Sequence, residues 1–378
     1  MTIAPGDTAP GFRQRTSANA SYVFDTAAGR YLLLCFLGSG GDGHAQAAVR
    51  AVRARPDLFD DTRASFFGIT IDVRDETAGR LVEHYPGYRY FWDFDLKISK
   101  LYGAVAPDTV PGTGVTVRRN WVVLDPTLRV LRVFPFREHG AEIADVLAFL
   151  DALPPPARFA GQELQAPVLI LPNVFEPELC AQLIASYEAA GGTESGFMRE
   201  IDGKTVLVRD PSHKRRRDHF IEDERMIATL KQRVSRRINP QVEKAFQFVA
   251  TRMERYVVAC YSADDAGHFR PHRDNTTRGT AHRRFAVSVN LNADFDGGEL
   301  CFPEYGPRAF KMPVGAAAVF SCSLLHAVSP VTRGARYAFL PFLYDEAAAR
   351  LREANDAHLE AGLGGYRSGL ADGTAATE

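Results

Sequence analysis

The stretch FRPHRDN, residues 269–275, places an imidazole and a carboxylate two positions apart, at His272 and Asp274. In extended backbone, alternate side chains project from the same face, so these two groups can bind one metal ion. A third ligand is required. His326 is the best candidate because it ends a later strand-like segment, where antiparallel closure would return it to the first pair.

Two histidines and one carboxylate predict a ferrous iron site, because such a triad leaves coordination positions open for a cosubstrate and dioxygen. Zinc is the alternative metal, although its usual chemistry carries other ligand spacings. Arg336 follows ten residues after His326 and opens a predicted strand. Its guanidinium can bind a carboxylate through two hydrogen bonds. We therefore expect Arg336 to hold the far carboxylate of a 2-oxo acid that chelates the iron.

Three segments around these residues occur in a fixed order: FRPHRDN at 269–275, LNADFDGGELCFP at 291–303 and LLHAVSPVTRGARYAF at 324–339. Together they resemble the iron and 2-oxoglutarate-dependent dioxygenases of the prolyl 4-hydroxylase-like group, especially the bacterial PKHD-type hydroxylases. The resemblance covers about residues 168–345. It implies a double-stranded β-helix, or jelly roll, in which the catalytic iron ligands are His272, Asp274 and His326 and the 2-oxoglutarate ligand is Arg336.

The same resemblance implies further features of the site. Tyr261 resembles the family's tyrosine that hydrogen-bonds 2-oxoglutarate. The carboxylate at Asp274 favours hydroxylation over halogenation, because halogenating relatives carry a small residue there. The implied cofactors are Fe(II), 2-oxoglutarate and O2, with ascorbate as a candidate reductant. The implied reaction hydroxylates an unactivated C–H bond of an amino acid, peptide or related small molecule and releases succinate and CO2.

The segment FAVSVNLN, residues 285–292, alternates between apolar and small polar side chains. The polar face predicts a lining for the site, with Ser288, Asn290 and Asn292 as candidate substrate residues. The apolar face should pack behind it.

The N-terminal part alternates predicted strands at 31–37, 65–71 and 121–124 with predicted helices at 44–53, 77–84 and 141–150, which indicates an α/β sheet. GDTAPGF at 6–12, YLLLCFL at 31–37 and RNWVVLD at 119–125 resemble peroxiredoxins and other thioredoxin-fold proteins, over about residues 1–153. Arg119 matches that family's arginine. The helix start, GSGGDGHAQAA at 38–48, lacks the family's reactive cysteine, so the resemblance implies a thioredoxin-like domain without peroxidase chemistry.

Three consecutive prolines in LPPPARFAGQELQAP, residues 153–167, mark a domain break. We predict a thioredoxin/peroxiredoxin-like domain at 1–155, a linker at 156–167, a dioxygenase domain at 168–345, and a helix with a mobile tail at 346–378. After the break, helical patterns at 177–190 and 222–250 precede many short strands punctuated by Gly and Pro. This pattern predicts a mainly β domain with supporting helices.

The 378-residue composition, 46% hydrophobic and 24% charged, is that of a globular protein, and the net charge of -1 gives no reason to expect a nucleic-acid or membrane partner. No apolar run approaches the roughly 20 residues of a membrane span, and the N-terminus lacks a signal-peptide pattern. We expect a cytoplasmic protein with a small-molecule, amino-acid or peptide substrate, able to form a homo-oligomer through its N-terminal domain.

Several residues leave alternatives open. Cys35 could serve a thiol peroxidase or oxidoreductase, although a thiol buried in a strand is inert, and a non-catalytic binding or scaffold protein is the other alternative. The run KRRR at 214–217 predicts a solvated charged segment, or else a contact with an anionic substrate. His268 and His282 are expected to be exposed loop histidines, with support of a metal ligand or contact with substrate as the alternative.

Overall fold

The computed structural model describes residues 3–112 and 114–368. Contacts between residues divide the chain into two compact units, Met1–Ala166 with Pro303–Pro307, and Pro167–Phe302 with Arg308–Glu378. The segment predicted as a linker holds a short 3-10 helix, Pro156–Arg158. Residues 369–378 of the predicted mobile tail lie outside the described residues.

The first unit has an α/β architecture, in which helices pack against a β-sheet. Its strands are β1 Arg13–Gln14, β2 Tyr22–Val23, β3 Tyr31–Gly38, β4 Ala64–Thr70, β5 Tyr88–Trp92, β6 Asn120–Leu124 and β7 Val130–Pro135. Its helices are α1 Gly43–Arg53, α2 Arg74–Thr77, α3 Lys97–Leu101 and α4 Glu142–Ala152.

The five main strands have the order β5-β4-β3-β6-β7. Strands β3, β4 and β5 run parallel, whereas β6 is antiparallel to β3 and β7 is antiparallel to β6. β3 is an almost uninterrupted buried apolar run, as expected for a central strand covered on both faces. Alternate β3 residues, including Leu33 and Cys35, share a core with Val49 and Val52 of α1 and with Val146 of α4. This arrangement confirms the predicted thioredoxin-like α/β architecture.

The prediction of a helix at 77–84 is wrong. The helix there is α2, which ends at Thr77, and Gly79 follows with a φ of +60°, a value that a right-handed helix excludes. Strands β5 and β7 are not predicted from the sequence, because Arg89 interrupts the apolar run of β5 and Arg132 interrupts that of β7.

The second unit is mainly β. Its strands are β8 Leu169–Leu171, β9 Thr193–Glu194, β10 Phe197–Ile201, β11 Lys204–Val208, β12 Lys214–Arg215, β13 Arg217–Phe220, β14 Arg252–Glu254, β15 Val257–Ser262, β16 His268–His272, β17 Phe285–Asn290, β18 Phe295–Gly297, β19 Leu300–Cys301, β20 Ala309–Phe310, β21 Ala317–Ser321, β22 His326–Val328, β23 Val331–Phe339 and β24 Phe342–Tyr344. Its helices are α5 Pro177–Ala190, α6 Glu224–Arg237, α7 Asn239–Phe246 and α8 Glu346–Ala354.

Two antiparallel sheets form the body of this unit. The smaller sheet has the order β12-β16-β22-β19-β20, and the larger sheet contains β15, β17, β21, β23 and β24 among its strands. Helices α5, α6 and α7 cover one face of the larger sheet in a single apolar core. The apolar residues of β17 and Leu291 belong to this core, as predicted: Phe285, Val287, Val289 and Leu291. The unit is a double-stranded β-helix with supporting helices, which confirms the predicted fold class.

The helix predicted at 222–250 is divided into α6 and α7. Pro240 lies at the start of α7, where its missing N–H breaks the hydrogen-bond ladder of a continuous helix. Similarly, the strand predicted at 337–344 is divided between β23 and β24, on either side of Pro341.

A small apolar cluster lies between residues of the two sheets. It combines Ala259 and Tyr261 of β15 and Val331 of β23 with Phe269 of β16 and Val328 of β22. The interior of the roll is therefore lined from both sheets. No helix among the described residues is long and apolar enough to cross a membrane.

Candidate functional site

The structure brings together the three predicted metal ligands. His272 ends β16 and is the cross-strand partner of His326, which begins β22. Asp274 lies in the turn directly after β16, and its carboxylate oxygens lie 3.6 Å from His272 Nε2 and 3.3 Å from His326 Nε2. One ligand atom from each residue falls within 4.8 Å of the other two. The three side chains can thus share one ion.

Backbone carbonyls select the tautomer of both imidazoles. His272 Nδ1 lies 2.8 Å from the carbonyl oxygen of Arg270, and His326 Nδ1 lies 3.0 Å from that of Leu324. Because a carbonyl oxygen only accepts, each Nδ1 must carry the hydrogen. Both Nε2 lone pairs then face Asp274, in the orientation that a metal ion requires.

The electrostatics of the triad also suit a metal ion. Burial lowers the pKa of His272 to about 4, and the nearby His326 adds to the effect. Burial opposes ionisation of Asp274, but His326 and His272 outweigh it and hold the pKa of the carboxyl well below its usual range. At neutral pH, His272 is thus neutral and Asp274 is charged. Imidazole nitrogens with a carboxylate oxygen form a donor set that fits Fe(II).

Neighbouring groups hold the triad in place. The amide of Asp274 donates to the carbonyl of Cys322 at 2.9 Å. The ring of Phe269 stacks on that of His272, with centroids 3.4 Å apart. These contacts fix the turn and one imidazole independently of any bound ion.

Arg336 lies in the interior with only neutral partners. The side chain is 3% exposed. Its Nη2 donates to Ser288 Oγ at 2.9 Å and its Nε donates to Asn290 Oδ1 at 3.4 Å. Among the described residues, no carboxylate forms an ion pair with Arg336. A buried cation without a counter-ion favours the entry of an anion, which is the property expected of a cosubstrate carboxylate site.

Gly298 passes beside the arginine. It has a φ of +62°, and a Cβ there would lie 2.8 Å from Val331 and 3.3 Å from Arg336 Cδ. The glycine at position 298 therefore makes room for the arginine side chain.

Tyr261 connects the arginine to the metal ligands. It is the cross-strand partner of Arg336, and the guanidinium carbon of Arg336 lies 5.6 Å from the centre of its ring. Its hydroxyl accepts from Arg216 Nη1 at 3.3 Å. On its other side it shares an apolar cluster with Phe269, which stacks on His272. The residues predicted for iron and for 2-oxoglutarate thus belong to one continuous set of contacts.

The three predicted substrate residues are distributed differently. Ser288 and Asn290 contact Arg336. Asn292 instead donates to the carbonyl of Ala335 at 2.7 Å and accepts from the amide of Tyr337 at 2.9 Å, so it bonds to the backbone of β23. Their role toward substrate stays a prediction.

Comparison with known proteins identifies this part of the chain. Residues 256–344 match the family described as the 2OG-Fe(II) oxygenase superfamily. This segment is similar to 2OG-Fe(II) oxygenase domains. The PKHD-type hydroxylase PiuC of Pseudomonas aeruginosa (strain PAO1) is 39% identical to the chain over 88 residues, which are 21% of this chain and 38% of the relative. The chain thus spans little more than a third of that relative's length.

Solved structures resemble both units. A prolyl hydroxylase from Trichoplax adhaerens, in complex with a hypoxia inducible factor oxygen degradation domain peptide fragment, is 19% identical, with a TM-score of 0.41 over 50% of this chain and 87% of its own. Peroxidoxin BcpB from Mycobacterium tuberculosis is 21% identical, with a TM-score of 0.35 over 40% of this chain and 99% of its own.

In the second unit, the prediction of a solvated charged run at 214–217 is wrong for two of its four residues. Lys214 and Arg216 are 4% and 6% exposed, whereas Arg215 and Arg217 are exposed. All four residues of the run are basic, so the sequence carries no signal for this alternation in burial. A local pattern does not show which face of a strand lies inside.

The prediction of an exposed His282 is also wrong. This histidine is buried, and its Nε2 lies 3.1 Å from a carboxylate oxygen of Glu254. His268 is partly exposed, with Nδ1 2.8 Å from the carbonyl of Ala266.

The alternative thiol site lies in the first unit. Cys35 is fully buried in β3, and burial raises the pKa of its thiol well above its usual range. At the start of α1, the carboxylate of Asp42 caps the helix by accepting from the amides of His44 and Ala45. Arg119 donates to the same carboxylate at 2.5 Å. The predicted arginine therefore pairs with a carboxylate, and Cys35 lacks the features of a reactive thiol.

Proposed function

We propose that the protein is an Fe(II)- and 2-oxoglutarate-dependent hydroxylase of an unactivated C–H bond in an amino acid, peptide or related small molecule, releasing succinate and CO2. One observation carries the proposal: the jelly roll holds two imidazole nitrogens and a carboxylate that converge on one point, and a buried arginine that forms no ion pair with any described residue. The match of residues 256–344 to the oxygenase family and the similarity to PKHD-type hydroxylases support it.

His272 and His326 would bind iron through Nε2, and Asp274 through a carboxylate oxygen. When bound there, iron supplies the activation of dioxygen that is coupled to conversion of 2-oxoglutarate into succinate. The carbonyls of Arg270 and Leu324 accept from the two Nδ1 atoms and so turn each Nε2 toward the site. The role of these residues is to present ligand atoms without rearrangement.

Arg336 would bind the far carboxylate of 2-oxoglutarate, with Ser288 orienting the guanidinium. Tyr261 would donate its hydroxyl hydrogen to the same carboxylate while it accepts from Arg216. The apolar side chains of Phe269, Val328 and Val331 exclude water between the two sheets. Exclusion of water strengthens the charge-assisted hydrogen bonds to the cosubstrate. Ascorbate remains a candidate reductant.

The test is succinate formation by the full chain with Fe(II), 2-oxoglutarate and O2. Succinate should form slowly without an added substrate, should require iron and 2-oxoglutarate, and should be lost in Asp274→Ala. His268→Ala is the matched control, because this histidine lies on the same strand outside the triad. Succinate formation with zinc as the sole metal, or equal rates in Asp274→Ala and wild type, would contradict the proposal.

For the first unit we propose a role without redox turnover, in packing against the oxygenase domain or in self-association. The buried thiol of Cys35 and the Asp42–Arg119 pair support the absence of redox turnover. A cytoplasmic location and a small-molecule, amino-acid or peptide partner are parts of the same proposal. Sedimentation of the full chain and of residues 167–378 would test self-association, because loss of the first unit should then change the oligomeric state.

A further inference from the structure

The strand segment KRRRD, residues 214–218, directs three charged side chains into the jelly roll. Lys214, Arg216 and Asp218 are buried, whereas the alternate residues Arg215 and Arg217 are exposed. This alternation is the period of a strand with one face inside. Charged residues on an inner face are costly unless a function or a counter-ion compensates.

Lys214 lies close to the metal ligands. It is the cross-strand partner of Phe269, and its Nζ lies 4.8 Å from the centre of that ring, which stacks on His272. Nζ donates to Ser195 Oγ at 2.8 Å and to the carbonyl of Gly196 at 2.6 Å. Both acceptors are neutral.

Arg216 lies beside the cosubstrate residues. It forms a two-point ion pair with Asp218, with both N–O distances 2.7 Å, and it also donates to Tyr261. Its Nη2 reaches Ser195 Oγ at 3.2 Å. Donors from Lys214 and Arg216 therefore converge on one neutral hydroxyl, which is a weaker acceptor than an anion.

The balance of charge is positive. Asp218 pairs with Arg216 and also with Arg255, at 3.1 Å, and it accepts from Ser195 Oγ at 2.5 Å. Lys214 forms no ion pair with any described residue, and burial lowers the pKa of its amine well below the ordinary value. Glu254, near Arg255, is already bound by Arg283 and Arg352. In the proposed function, Fe(II), Asp274, Arg336 and the 2-oxoglutarate dianion neutralise one another. Among the described residues, Arg216 and Arg255 then share one carboxylate, and Lys214 has hydrogen bonds only to neutral acceptors.

We propose that Lys214 and Arg216 form a subsite for a carboxylate of the primary substrate. The inference rests on the proposed function, and it assigns these residues to the substrate because Arg336 already serves the cosubstrate. The carboxylate is either the α-carboxylate of a free amino acid or an acidic side chain in a peptide. On entry it replaces Ser195 Oγ as the acceptor for both cations.

The experiment compares matched acids and amides. Free L-amino acids are compared with their carboxamides, and N-acetyl-glutamate amide with N-acetyl-glutamine amide, as stimulators of succinate formation by the full chain with Fe(II) and 2-oxoglutarate. In one of the two series, the acid should stimulate succinate formation about 30-fold or more above the matching amide. This is the size expected for a buried charged contact. The series that responds identifies the source of the carboxylate. Equal responses of acids and amides in both series would overturn the subsite.

Variants of Lys214 assign the effect to this residue. Lys214→Met should remove most of the preference for acids and leave the KM for 2-oxoglutarate within about twofold, whereas Lys214→Arg should retain the preference. Lys204→Met, at an exposed lysine of β11, is the matched control. If Lys214→Met raises the KM for 2-oxoglutarate and leaves the preference for acids over amides unchanged, Lys214 contacts the cosubstrate and the subsite is contradicted.

A binding measurement separates this inference from the proposed function. The subsite consists of side chains alone, so the preferred acids should raise the melting temperature of the metal-free protein more than their amides do. This difference should be absent in Lys214→Met. Failure of iron-dependent succinate formation without added substrate would contradict the proposed function, whereas loss of the thermal difference contradicts only the carboxylate subsite.

Discussion

Arg216 and Arg336 both approach the ring of Tyr261, with guanidinium carbons 5.7 and 5.6 Å from its centre. The two arginines differ in their partners. Arg216 is neutralised by Asp218, whereas Arg336 has hydrogen bonds only to Ser288 and Asn290 among the described residues. Of the two, Arg336 is therefore the one whose guanidinium has no carboxylate partner among the described residues, as expected of a site for the cosubstrate carboxylate.

Arg336→Ala should weaken binding of 2-oxoglutarate by about 2 to 5 kcal/mol, because one side of a buried charged contact is removed. Metal binding should stay close to that of the wild type. The KM for 2-oxoglutarate and calorimetric titration with Mn(II) measure the two effects. Arg333→Ala is the control on the same strand, since Arg333 is exposed and pairs with Asp294 and Asp296. An unchanged KM for 2-oxoglutarate in Arg336→Ala would contradict the assignment of Arg336 to the cosubstrate carboxylate.

His326→Ala and Asp274→Ala should each abolish metal binding and 2-oxoglutarate turnover. Either change deletes one of the three ligands, and the remaining two cannot hold the ion in a facial arrangement. Metal content after dialysis against Fe(II) under nitrogen is the measurement. His268→Ala should bind metal normally. Full metal occupancy in His326→Ala would show that another residue is the third ligand.

Ser288→Ala should raise the KM for 2-oxoglutarate by about 2- to 10-fold, the range expected for one hydrogen bond, because the guanidinium of Arg336 loses its closest acceptor. Asn292→Ala should act on stability instead. Its amide satisfies backbone groups of Ala335 and Tyr337, so about 1 to 3 kcal/mol of unfolding free energy should be lost. Urea unfolding separates the two variants. A substrate KM that changes in Ser288→Ala while that of 2-oxoglutarate does not would favour the predicted substrate role.

His213 should make stability fall as the pH drops from about 7 to about 4. Burial lowers its pKa to about 4, and Arg199 adds to the effect. Between its ordinary pKa of about 6.5 and this value, the unfolded chain binds a proton that the folded protein does not, so acid favours unfolding.

His213→Gln should therefore lose less stability across that pH window than the wild type, by roughly 2 kcal/mol after allowance for water around a partly buried ring. Urea unfolding at pH 7, 5.5 and 4 gives the difference. His84→Gln, at an exposed histidine of the first unit, is the control and should follow the wild type. Parallel curves for His213→Gln and the wild type would contradict the expectation.

Cys35 should not react with peroxide or with thiol reagents in the folded protein. It is fully buried, and burial holds the pKa of its thiol well above its usual range. Among the five cysteines, Cys301 is the one that is partly exposed, so it should be modified first. Thiol titration of the wild type, Cys301→Ser and Cys35→Ser measures this. Peroxide consumption that disappears in Cys35→Ser but not in Cys301→Ser would restore the thiol alternative.

The sequence by itself predicted the two-part organisation, the candidate metal ligands and the apolar face of β17. These features are local, since strand periodicity, a proline-rich break and the spacing of His272 and Asp274 can be read from neighbouring residues. The segment with His272 and Asp274 also carries part of the resemblance to the dioxygenases, and the family match at residues 256–344 agrees with that resemblance.

Only the tertiary structure decided which groups meet. The cross-strand pairing of His272 with His326 and of Tyr261 with Arg336 depends on the register between distant strands. The same holds for the charged segment at 214–218: its residues have the composition of a solvated run, and the pairing of β12 with β16 turns Lys214 inward onto Phe269. Burial is set by which face of a strand the rest of the chain covers, and a local pattern of charges does not contain that information.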